Sequence, residues 1–126
     1  MTIVVDSTVL VDNLRERPDA TARVVEALEQ GERLSASTLT KVELLAGMRS
    51  SERHRTRRLL DSLDWISVSD PIAERAGALA RRYRASHTGV GVVDFVIAAT
   101  VEELEAELWT RNVKHFPMFA GLKPPY

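Results

Sequence analysis

Three carboxylates sit in segments that do not obviously welcome them. Asp94 interrupts the stretch VGVVDFVIAAT, Val90 to Thr100, which is otherwise valine, phenylalanine, isoleucine and small residues. A segment this apolar is normally buried, and an unpaired buried carboxylate is strongly destabilised or loses its charge. No Lys or Arg occurs within the stretch, so any partner must come from elsewhere in the chain. Asp6 stands at the end of the β-branched run Ile3 to Val5. Glu43, in TLTKVELLAG, shares a helical stripe with Leu39, Val42 and Ala46, at spacings of three and four. Each acid has an ordinary explanation. Asp6 can cap the helix that begins at STVLV. Glu43 can close a capping box with Thr40. Asp94 can sit in a first helical turn, where the dipole favours it by about 0.3–1 kcal/mol when exposed. That gain offsets only part of the desolvation cost of a buried group, so the ordinary explanation is weakest for Asp94.

Taken together, the three acids ask for a common partner. Carboxylates gathered in a low-dielectric site raise one another's pKa, and a divalent cation between them would let all three ionise. The chain has no cysteine and its three histidines show no metal-ligand spacing. Oxygen-only ligation suits Mg²⁺ or Mn²⁺ rather than Zn²⁺. Such ions keep water and take phosphate as a natural ligand.

The elements around the acids place them at one edge. IVV reads as a buried parallel strand. The segment STVLVDNL then reads as helix, and Pro18-Asp19 opens another that stops at Gly31. RLSAS (33–37) forms a second strand. A helix from Thr40 carries Val42, Leu45, Ala46 and Met48, and another runs from about Ser51 to Leu63. WISVS (65–69) is a third strand. Asp70-Pro71 starts a helix to about Ser86. A glycine-rich entry then leads into the helix that carries Asp94, and AELWT supplies a last strand. RNVKHFPMFAGLKPPY is loop with a short helical turn. Strands alternating with helices predict an α/β fold: one domain over 1–126, with a mainly parallel sheet of four to five strands covered on both faces. Ligands of such sheets bind outside the carboxyl ends of the strands, where Asp6 stands.

Bulk properties agree with one core in 126 residues. The net charge of −1 excludes a polycation, so binding nucleic acid requires a local basic face. RSSERHRTRR supplies Arg49, Arg53, Arg55, Arg57 and Arg58, and ARRYRASH supplies Arg81, Arg82 and Arg84. Most of these read individually as solvated helix faces. Glu102, Glu103, Glu105 and Glu107 read as a solvated acidic helix end. His54 and His87 read as surface residues, and His115 as loop packing. Trp65, Trp109, Phe95, Phe116 and Phe119 read as core. No signal peptide or membrane span is expected, and the absence of cysteine fits a cytoplasmic protein.

IVVDSTVLVD, TLTKVELLAG, GVVDFVIAAT and LWTRNVKHF occur in the order seen in PIN-domain ribonucleases, and the chain resembles most the VapC toxins of bacterial toxin–antitoxin pairs. The resemblance spans Ile3 to Phe116. It implies that Asp6, Glu43 and Asp94 bind metal, and that Thr8 is the small polar residue following the first acid. Many members place a fourth acid where this chain has Asn112, which implies a role for Asn112 in holding water. It further implies Mg²⁺- or Mn²⁺-dependent hydrolysis of RNA, in a transfer RNA or a ribosomal RNA loop, a homodimer, and silencing by a VapB-type antitoxin. Arg111 and Lys114 flank Asn112 and are expected to bind substrate phosphate. Two other functions compete: a Mg²⁺-binding receiver-like signalling domain, and a non-catalytic RNA-binding module on the same fold. A receiver needs an acidic pair after the first strand, whereas Asp6 is followed by Ser7 and Thr8.

Overall fold

The computed structural model describes residues 1–126. Four strands and six helices alternate: β1 (Thr2–Val5), α1 (Ser7–Leu14), α2 (Pro18–Glu29), β2 (Arg33–Ser37), α3 (Thr38–Gly47), α4 (Arg53–Asp61), β3 (Asp64–Ile66), α5 (Asp70–Tyr83), α6 (Val92–Leu104) and β4 (Glu107–Trp109). Short 3₁₀ turns cover Ser50–Glu52 and Val113–His115. The sheet is parallel throughout, in the order β3-β2-β1-β4. The expected architecture stands, with four strands rather than five.

Side-chain alternation along β1 explains the two-sided core. Ile3 and Val5 join Leu34, Ala36 and Trp109 under α1–α4. Val4 points the other way and packs with Leu108, Phe116 and residues of α6. The α5–α6 pair closes over Ile72, Ala76, Phe95 and Ala99. No helix is long and apolar enough to cross a membrane.

Several boundaries differ from those read in the sequence. β3 covers Asp64–Ile66 rather than Trp65–Ser69, because Ser69 turns outward to cap α5 through the Ile72 amide. α5 ends at Tyr83 rather than near Ser86. The helix expected from Ser51 starts with a 3₁₀ turn, in which the Arg49 amide donates to Glu52 at 2.9 Å. α3 begins at Thr38, two residues before Thr40, because the Ser37 hydroxyl accepts from the Leu39 amide at 3.2 Å. No Thr40–Glu43 capping box forms; Thr40 is buried and its hydroxyl has no partner. Gly31 does end its helix, at a φ of +76°, a conformation glycine adopts without strain. Glu102 and Glu103 are not simply solvated: both bind Arg75.

Candidate active site

β1 ends at Val5, which pairs with Trp109 of β4. The next residue on each strand therefore stands side by side, and these are Asp6 and Thr110. The Asp6 amide donates to the Trp109 carbonyl at 3.1 Å. Asp6 is buried, 4% exposed, and caps α1 as its position suggests. One carboxylate oxygen accepts from the amide and hydroxyl of Thr8, and the other from the Thr110 hydroxyl. Those two hydroxyls in turn accept the amides of Arg111 and Asn112, at 3.0 and 2.9 Å. Residues 110–112 are thus laid against Asp6 by two hydroxyl relays. Burial nonetheless holds the Asp6 carboxyl above its ordinary pKa, and the hydrogen bonds from Thr110 and Thr8 recover only part of the cost.

Glu43 projects from α3, which starts directly after β2 and packs against α1. Its carboxyl is also raised, first by desolvation, then by the charges of Asp6 and Asp94, with a Ser7 hydrogen bond pulling the other way. Three acids far apart in sequence therefore share one electrostatic field. The stripe on which Glu43 lies is not buried, as its spacing suggested. Val42 is 62% exposed, and α3 buries Thr40 and Leu44 instead. Glu43 lines a cleft of about 400 Å³ between α1, α3 and α4.

Asp94 occupies the first turn of α6, where the Gly91 amide donates to it at 3.2 Å. It is half-buried rather than sunk among its apolar neighbours, because it stands in the partly exposed first turn, whereas Phe95 to Val101 beyond it are all buried. The partner missing from its own segment is His115, whose Nδ1 lies 3.1 Å from the same carboxylate oxygen. Sequence reading assigned His115 to packing alone and passed over Thr110. Thr110 faces Asp6 only because β4 pairs with β1, a neighbourhood that no local signal in the sequence marks.

The expected phosphate contacts separate. The Arg111 guanidinium binds Asp12 at 3.0 Å and covers the Tyr126 ring at 5.4 Å. Arg17 also lies against that ring, 5.5 Å from its centre, and the Tyr126 hydroxyl donates to Asp12 at 2.6 Å. Burial and the Asp12 charge push the Tyr126 phenol well above its usual range. Lys114 is exposed and enters no ion pair, and Asn112 is exposed beside it. Trp109, Phe95 and Phe116 are core as expected.

The donor set is made of carboxylate and hydroxyl oxygens, the chemistry of a hard divalent ion, and the mutual repulsion felt at Glu43 is what a cation would relieve. In this arrangement no three acidic or imidazole side chains close around a common point tightly enough to hold an ion. Charge and donor type fit a metal, and the exposed Glu43 side chain is the one free to complete the set.

Residues 3–120 match the family model described as PIN domain. A protein named Ribonuclease VapC19, from Mycobacterium tuberculosis, is 46% identical over 122 residues, covering 97% of this chain and 98% of that protein. Ribonuclease VapC10 of the same species is 44% identical over 124 residues, covering 98% and 92%. A solved structure described as a toxin-antitoxin complex from Klebsiella pneumoniae superposes with a TM-score of 0.80, at 31% identity over 98% of each chain. With its family model spanning nearly the whole length and ribonuclease relatives 44–46% identical over almost all of it, the chain belongs to the PIN-domain family, in its VapC-type branch.

Proposed function

We propose that this chain is the toxin of a toxin–antitoxin pair, an endoribonuclease that hydrolyses RNA phosphodiester bonds with Mg²⁺ or Mn²⁺ and is silenced by a VapB-type antitoxin. The observation that carries the reading is the buried Asp6 carboxylate at the end of β1, held from both oxygens by Thr8 and Thr110 and near enough to Glu43 for the two charges to interact. The names of its relatives, both called ribonucleases, support it, as does a structural neighbour described as a toxin-antitoxin complex.

Asp6, Glu43 and Asp94 would hold the ion, which when bound supplies charge neutralisation for the phosphate and activates the attacking water. The chain's own residues do the rest. Asp6 is fixed from both oxygens by Thr8 and Thr110, so its carboxylate is oriented before substrate arrives. His115 steadies Asp94. Asn112, exposed next to the relay through Thr110, orients the water. Lys114 binds the phosphate, and Arg111 holds Asp12 and the 110–112 segment in place rather than reaching freely for substrate. The targets are a transfer RNA or a ribosomal RNA loop, cut to leave 5′-phosphate and 3′-hydroxyl ends.

Asp94→Asn tests the reading. The variant keeps a hydrogen-bonding group at the start of α6, so its thermal unfolding should match wild type, while RNA cleavage in Mn²⁺ falls at least about 100-fold. Wild-type cleavage should stop in EDTA. Cleavage by the variant at the wild-type rate removes Asp94 from the site.

A further inference from the structure

Three clefts join around α4. The cleft that holds Glu43 also carries Arg15 and Arg49, and shares Met48 and Thr56 with a second, of about 600 Å³. The second carries Arg53 and Arg57, and shares Ser51 and His54 with a third on the opposite flank of the helix. A chain of adjoining depressions, linked by shared lining residues, therefore leads from a site acid around the basic helix. Its cations are mostly unneutralised. Arg55 is satisfied by the Leu14 carbonyl at 2.9 Å and by Glu16 at 3.5 Å; Arg49, Arg53, Arg57 and Arg58 form no ion pair. The acids in these depressions are Glu16, Glu43 and Glu52, and one Glu52 oxygen is already taken by the Arg49 amide. Arg53 and Arg57 are both exposed and four residues apart, a like-charge pair that weakens the helix carrying it. The other basic run, Arg81, Arg82 and Arg84, lies around the end of α5 and lines none of these clefts.

The cleft that carries Arg53 and Arg57 also has an apolar part, made by Leu45 of α3, 38% exposed, and Met48 just after it. Cations and hydrocarbon lining one cleft suit a single nucleic-acid strand, with phosphates on the arginines and base faces on the apolar part. A duplex hides its base faces and gains nothing from the apolar part. Arg53 and Arg57 lie about 6 Å apart along the helix, a distance one sugar–phosphate repeat of an extended strand can span.

We propose that Arg49, Arg53 and Arg57 form the track by which single-stranded RNA runs from the acid site across α4. The proposal rests on the nuclease reading and adds to it the strand's path and its single-stranded form. Two double variants with the same charge change test it: Arg53→Glu with Arg57→Glu, and Arg81→Glu with Arg82→Glu. All four side chains are exposed, so circular dichroism melting should leave both variants folded as wild type. Affinity for a fluorescein-labelled single-stranded oligoribonucleotide is read in EDTA, where no cleavage occurs. The α4 variant should lose about tenfold, and its slope of log affinity against log salt should fall by about 1.4, two phosphate contacts' worth. The α5 variant should bind as wild type. In Mn²⁺, the α4 variant should raise KM for the long strand with kcat unchanged and cut a trinucleotide normally.

Equal losses from both variants would reduce the effect to net charge and overturn the track. Unchanged RNA affinity in the α4 variant, with binding to a VapB-type antitoxin lost, would assign the surface to a protein and overturn it equally. If wild type cuts no RNA but the binding difference between the variants persists, the nuclease reading fails and the track stands as the binding face of a non-catalytic module.

Discussion

Asp6 shows what burial does to a carboxylate that is already well hydrogen-bonded. Burial keeps its pKa above the ordinary carboxyl value of 3.8 even with Thr8 and Thr110 donating to it. An acid raised in the folded state favours the fold fully below its unfolded pKa, and that contribution is lost as pH rises through the folded value. At neutral pH the charged form therefore opposes folding. Asp6→Asn keeps the cap, since Asn and Asp cap equally well, and removes the charge. The variant should be more stable than wild type at pH 7 by about 1 kcal/mol, while losing RNA cleavage. Urea unfolding in EDTA across pH should show the two curves separating upward from near 3.8, the unfolded carboxyl value. Equal stability at pH 7 would mean that the hydroxyls fully compensate the burial. At this scale the unusual setting of the acids was legible and their partners were not. Nothing in LWTRN marks Thr110 as the residue facing Asp6, and nothing in VKHF marks His115 as facing Asp94; both pairings are made by the fold.

Elements were legible where a local signal had no competitor. Pro71 and Gly31 placed a helix start and a helix stop without reference to the rest of the chain. α3 shows what happens when two signals compete. Thr40 and Glu43 have capping-box spacing, but Ser37 ends β2 in extended conformation and reaches the Leu39 amide first. The helix gains two residues at its start, Thr40 is carried into the core, and Glu43 is left clear for the cleft. Ser37→Ala should therefore cost about 1 kcal/mol. Thr40→Val, which removes a buried hydroxyl without a partner, should stabilise the fold by about 1 kcal/mol. Thermal melts of the two variants check both signs, and destabilisation by Val would show that the Thr40 hydroxyl is satisfied. The exposure of Val42 was not legible, since an apolar stripe at helical spacing looks the same whether or not the chain supplies something to cover it.

At the scale of the molecule, the acids come from β1–α1, α3 and α6, three places that meet only when the parallel sheet is complete. An ion bound there would tie all three to the folded state. At a free Mn²⁺ concentration about 100 times its Kd, linkage gives about 2.7 kcal/mol of added stability. Scanning fluorimetry should register that as several degrees in wild type, and Glu43→Gln should abolish it; a shift that survives in the variant places the ion elsewhere. Strand alternation predicted the parallel sheet, but not that the last strand lies against the first. That neighbourhood is set by long-range packing, in which Ile3 pairs with Glu107 and Val5 with Trp109.

The pairing of first strand with last has a temporal consequence. Ribosomes deliver Asp6 104 residues before Thr110, so until β4 has been made the first acid has neither its second hydroxyl donor nor the strand beside it. A nascent chain, or one cut short before β4, carries the acids without the arrangement that aims them. On the proposed nuclease reading, a chain still short of β4 would be inert, which leaves time for an antitoxin to meet it.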